Sequence, residues 1–145
     1  VASSGTEGLS LVVFSGGFER VHYALVMASA AAASNRRATL FFTGRALRAL
    51  VAGEDGAPGW HRLDPAEDGS APAARDEAFQ ARGVAGFEEL LEACAALGVA
   101  FMVCEMGMRA EGIEAARLRP DVPVRSGGVV TLLNETPAGG TPVFV

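Results

Sequence analysis

Three short apolar runs, at residues 9–14, 38–43 and 99–104, each end in small or polar residues and are separated by segments of helical spacing. That alternation limits the folds open to the chain more than any other feature. The runs read Leu-Ser-Leu-Val-Val-Phe, Ala-Thr-Leu-Phe-Phe-Thr and Val-Ala-Phe-Met-Val-Cys. Their length and β-branched content favour buried strands over helices. Between the first two, Val21, Leu25, Ala28 and Ala32 recur at helical spacing in an alanine-rich stretch over 18–34. Before the third, Phe87, Leu90, Leu91, Cys94 and Leu97 make one apolar helical stripe, closed by Gly98. Apolar strands that alternate with helices form a parallel sheet covered on both faces. With right-handed crossovers the expected fold is α/β, a three-layer sandwich with a mostly parallel sheet of about five strands and helices on both faces.

The rest of the chain is read more coarsely. Residues 45–51 suggest a short helix, with Leu47 and Leu50 on one face. Residues 53–82 are rich in Gly, Pro, Asp, Glu and Ala, with Trp60 as the one large anchor, and read as a long surface loop. Residues 105–118 read as a loop followed by a short helix. An extended piece is expected at 122–124, a helix at 129–134 after Gly127-Gly128, and a last strand at 142–145. No internal repeat is visible, and the length of 145 residues fits one domain over 1–145.

Composition excludes several classes of function. Half of the residues are hydrophobic and 20% are charged, which is incompatible with wholesale disorder. The net charge is −5, all twelve basic residues are Arg, and no basic cluster exceeds the pair Arg36–Arg37. Such a surface repels phosphate backbones, so no nucleic-acid partner is expected. The apolar helical stretch at 21–33 is too short to span a bilayer, and no basic segment leads into an apolar leader. With two cysteines, too few for a disulfide framework, the expected setting is a reducing one, the cytoplasm.

In a parallel sheet, ligands and reacting groups gather at the carboxyl ends of the strands. Three tips qualify here: Ser15-Gly16-Gly17, Thr43-Gly44, and Cys104-Glu105-Met106-Gly107-Met108. Cys104 is the candidate nucleophile. It ends a strand and precedes a helix, and amides at a helix start favour thiolate over thiol. The competing reading is a small, inert apolar residue at a strand end. Met102, Met106 and Met108 flank it, either as a polarizable lining for sulfur or as ordinary core filling. His22, about one turn into the first helix, is a candidate proton donor to Cys104, and otherwise a histidine satisfied by packing.

Cys94 lies on an apolar stripe and reads as core. It sits about 5 Å before its helix end and Cys104 about 17 Å into the next strand, in layers ~10 Å apart. That exceeds the ~7 Å between Cα atoms that a disulfide tolerates, so two free thiols are expected. His61 has no partner by spacing. The cysteines and histidines show no metal-ligand spacing, so no metal is expected. Ser15-Gly16-Gly17 offers a generic anion cradle. The dinucleotide, nucleoside-triphosphate and nucleophile-elbow motifs are absent, and no cofactor is expected.

Four segments together resemble the DsrE/DsrF/DsrH-like family. Ser15-Gly16-Gly17-Phe18-Glu19-Arg20 is similar to that family's S-G-D-x-D-K segment after the first strand. Phe41-Phe42-Thr43-Gly44-Arg45-Ala46-Leu47 resembles F-F-T-F-W-G-L, with Gly44 and Arg45 in place of the aromatic pair. Cys104-Glu105-Met106-Gly107-Met108, followed by Gly112-Ile113, resembles C-x-M-S-M-x-x-x-G-I. Gly127-Gly128-Val129-Val130-Thr131-Leu132-Leu133 resembles G-G-V-A-T-F-L. The resemblance implies a small sulfur-relay protein, a sulfurtransferase-like activity with a persulfide on Cys104. It also implies other sulfur-carrier proteins as partners and a homo-oligomer, with a trimer favoured. Gly17 stands where the family has an acidic residue. The alternative is a non-catalytic subunit of the same fold that binds a small anion or a partner.

Overall fold

Side chains alternate along a strand, so each apolar run divides its residues between the two faces of a sheet. The computed structural model describes residues 8–136 and 140–145. In it the chain runs β1 (Gly8–Val13), α1 (Phe18–Ala33), β2 (Arg37–Phe42), α2 (Pro72–Ala81), α3 (Phe87–Ala96), β3 (Ala100–Cys104), α4 (Glu105–Glu111), β4 (Val124–Gly127), α5 (Val129–Glu135) and β5 (Val143–Phe144). Single 3-10 segments occur at Gly44–Leu50, Gly59–Arg62 and Ala115–Arg117.

The five strands form one parallel sheet in the order β4-β3-β2-β1-β5. From β1 to β4 the chain steps one strand at a time in one direction. It then crosses the whole sheet to place β5 beyond β1. Right-handed connections that run in opposite directions lie on opposite faces. On the first face, Leu11, Val13, Leu40, Phe42, Phe101 and Val103 pack with α1 and α3 in the main core. Ala24, Ala28 and Ala31 let α1 approach closely. On the second face, Phe41, Met102 and Cys104 form a small cluster with Leu132 of α5, and Val12 packs against it. Helices thus cover both faces as expected, but the second face is covered thinly.

The segment at 53–82 departs from the expected surface loop. Trp60, Leu63 and Ala66 are buried, and α2 occupies its second half. Pro72 opens α2. Strong helix formers follow, but with Phe79 as the one large apolar residue there is no stripe for periodicity to detect. Residues 105–111 also differ from expectation, because α4 follows β3 with no loop between them. Strand β4 runs from Val124 to Gly127, past the extended piece expected at 122–124.

Candidate functional site

Strands β1, β2 and β3 are neighbours and parallel, so the three candidate tips share the carboxyl edge of the sheet. They close on one another there. The Phe14 ring lies over Gly44, where a Cβ would be 3.0 Å from the ring and φ is +56°. Glycine is the residue that takes both constraints without strain. At the next tip, a Cβ on Gly107 would come within 2.6 Å of the Thr43 hydroxyl oxygen, so the first turn of α4 rests directly on the end of β2.

Cys104 is the last residue of β3 and the N-cap of α4. Its sulfur accepts a hydrogen bond from the Gly107 amide at 3.4 Å. Sulfur here takes the place of the usual Ser or Asp oxygen at a helix start. Cys104 is only 2% exposed, within the cluster of Phe41, Met102 and Leu132. Gly127 faces it across the β3–β4 pair, and a Cβ at that position would strike the Met102 sulfur at 2.6 Å. Glu105 and Met106, in the first turn of α4, are exposed.

Several expected neighbours lie elsewhere. His22 does not stand beside Cys104. It is buried in the α1 face, in contact with the rings of Phe18 and Phe79, and its Nε2 is 2.9 Å from the Ala85 carbonyl oxygen. The sheet separates it from the second-face cluster that holds Cys104. The three methionines do not surround the sulfur either. Met102 packs with it, Met108 belongs to the main core, and Met106 points outward. Both cysteines are free, as the spacing argument required. The Cys94 thiol donates to the Leu25 carbonyl at 3.5 Å, and burial pushes its pKa up to about 12.

The Ser15-Gly16-Gly17 cradle is filled by the chain itself. The Gly17 amide donates to the Ser15 hydroxyl at 3.0 Å, and the Phe18 amide donates to the Asp64 carbonyl at 3.2 Å. Asp64 also donates its amide to the Gly16 carbonyl at 2.7 Å and pairs through its carboxylate with Arg45. These amides therefore offer no open anion site. Asp64 escaped the sequence reading, and Phe41, Arg45 and Leu132 were named only through the family resemblance, without a place at the site. Asp64 sits in the segment read as a loop, and its bridge with Gly17 and pairing with Arg45 bring it to the tip after β1. Leu132 carried a faint signal, four residues after a glycine that opens a helix.

A cavity of about 550 Å³ lies at the amino edge of the sheet. Ser10, Thr39, Ala100, Arg125 and Glu135 help to line it, and Cys104 does not. Among the described residues no group of three or more His, Cys, Asp or Glu side chains is placed to hold a metal ion. No helix among them is long and apolar enough to cross a membrane.

A family model described as the DsrE/DsrF-like family matches residues 10–138. The chain belongs to that family. Among solved structures it is similar to a protein of unknown function from Methanobacterium thermoautotrophicum, MTH1491. The TM-score is 0.61 and the identity 13%, over 96% of this chain and 99% of that one. It is also similar to the ychN protein from E. coli, with a TM-score of 0.55 and 15% identity, over 95% of this chain and 99% of that one. At such identities the likeness establishes the fold. Among curated proteins there is no match. In this DsrE/DsrF-like chain, a cysteine stands at the end of β3 on the carboxyl edge of the sheet.

Proposed function

We propose that this protein is a sulfur-relay protein that carries a persulfide on Cys104. The observation behind this reading is the Gly107 amide aimed at the Cys104 sulfur from the first turn of α4. It puts a fixed donor at the Cys104 sulfur, where negative charge rests before loading and again after unloading. In the loading step the Cys104 thiolate attacks the outer sulfur of a donor persulfide. A new S–S bond forms at Cys104, the donor's S–S bond breaks, and the donor leaves as a thiolate. In unloading, an acceptor thiolate attacks the outer sulfur on Cys104 and frees the Cys104 thiolate. No oxidant is consumed in either step. Partners of this kind are other sulfur-carrier proteins in a reducing compartment such as the cytoplasm.

Membership of the family also supports a homo-oligomer, with a trimer as the expected form. Val130 and Phe144, 71% and 68% exposed, leave apolar surface on the second face for another copy to cover. Light scattering on the purified protein measures this, and a monomeric mass rejects it.

One observation favours a second reading, a non-catalytic partner-binding subunit. That observation is the burial of Cys104 in a cluster with Phe41, Met102 and Leu132. The two readings separate on incubation with a sulfane-sulfur donor followed by intact-mass spectrometry. The relay reading expects a species heavier by one sulfur atom that disappears in Cys104→Ser. Wild-type protein that stays unmodified with every donor, protein persulfides included, supports the non-catalytic subunit.

A further inference from the structure

We infer that α5 is a hinged cover over Cys104, so that access to the sulfur is set by how often this short helix lifts. The inference rests on the reading of Cys104 as a sulfur carrier and concerns how that site is regulated. Leu132 is the buried side chain of α5, 3% exposed, and it lies in the same small cluster as Cys104. Val129, Val130 and Leu133 of the same helix are exposed. One side chain therefore seats α5, whereas seven buried residues seat α1. Elements with few buried contacts open locally without global unfolding.

The connection to the sheet is suited to a hinge. Gly127 is fixed in β4 opposite Cys104, and Gly128 follows as the N-cap of α5. Apart from its chain neighbours, nothing lies within 4 Å of where a Cβ on Gly128 would be, so the turn into α5 is not packed against the rest of the protein on that side. At its far end α5 is tied back to β4 by the ion pair of Arg125 with Glu135, both about half exposed. An exposed pair of this kind is a weak, salt-sensitive latch. Lifting α5 takes Leu132 out of the cluster that holds the sulfur and leaves the Gly107 hydrogen bond in place, because that bond joins α4 to its own N-cap.

The test is native-state alkylation with iodoacetamide, read at Cys104 by peptide mass spectrometry, with Cys94 as the internal marker of global unfolding. Leu132→Ala is expected to speed labelling of Cys104 by about tenfold or more, and Glu135→Gln by roughly threefold, while Cys94 stays unlabelled. Wild-type labelling at about 1 M salt should approach that of Glu135→Gln. A Leu132→Ala rate within about twofold of wild type overturns the cover, as does Cys94 labelling that rises in step. If Leu132→Ala does not fold, an unchanged rate in Glu135→Gln overturns it. The relay reading fails separately. Leu132→Ala protein that alkylates quickly but takes up no sulfane sulfur retains the cover and loses the relay. Wild-type protein that loads sulfur as fast as Leu132→Ala does the reverse.

Discussion

The Gly107 amide donates to the Cys104 sulfur at 3.4 Å while the Cα of Gly107 is pressed against Thr43, so one residue serves both the cap and the join between two strand tips. An added Cβ would sit 2.6 Å from the Thr43 hydroxyl oxygen and 3.2 Å from the Leu47 side chain. Gly107→Ala is therefore expected to destabilise the protein by about 1–3 kcal/mol through overpacking. Urea denaturation measures this, and an unchanged midpoint contradicts the contact. Thr43→Gly in the same chain should recover part of the loss.

Asp76 gives a second handle on stability. It lies in α2, is buried, and accepts the Phe87 amide and the Gln80 side-chain amide, each at 2.8 Å. It caps α3 from another helix, because the N-cap residue Gly86 has no side chain to do so. Asp76→Ala should cost about 1–3 kcal/mol by leaving a buried amide without its acceptor. Thermal unfolding at neutral pH reads the effect, and a Tm equal to wild type would argue that water replaces the carboxylate.

Acid should weaken a clamp around Arg119. Its guanidinium donates to Glu88 and Asp121, and the Trp60 indole also donates to Glu88 at 2.7 Å. Hydrogen bonding from Arg119 holds both carboxyls below their usual range. Groups with a lowered folded-state pKa add stability that is fully present above the unfolded value and is lost as pH falls through the folded one. Stability should therefore drop as pH falls below about 4. In Arg119→Met the neutral-pH stability should be lower and the acid limb flatter. Trp60, the sole tryptophan, reports the same titration by fluorescence, and an acid limb as steep in the variant as in wild type would rule the clamp out.

Alkali should act through Cys94. Burial raises its thiol from 9.0 to about 12. A raised folded-state pKa gives stability that is fully present below the unfolded value and is lost as pH rises toward the folded one. Stability should thus decline between about pH 9 and 12, and less steeply in Cys94→Ala. That variant is also less stable at neutral pH because of the gap it leaves in the main core. Equal alkaline slopes for the two proteins would contradict the burial argument.

The existence of the strands, though not their order in the sheet, was legible because a β-branched apolar run between turn-forming tips carries its information locally. The same holds for α1 and α3, whose apolar stripes are continuous in the sequence. Helix α2 was not legible, since its helix formers lack an apolar stripe. The start of α4 was obscured by Gly107, which argues against a helix until Thr43 is seen beneath it. At the candidate site, the placement of Cys104 at the carboxyl edge was readable, but its neighbours were not. His22 and Cys104 were brought together by sequence reasoning, yet the strand register puts Cys104 on the face opposite α1.

From the sequence alone came a parallel α/β sheet and a cysteine at the rim where its third strand meets a helix. Both follow from periodicity and chain punctuation within a few residues. The tertiary structure alone decided what surrounds that sulfur. The return from β4 across the sheet to β5 carries α5 to the second face and sets Leu132 in the cluster that holds Cys104. Which residues meet across a sheet depends on strand register and crossover direction, and no single segment encodes either one.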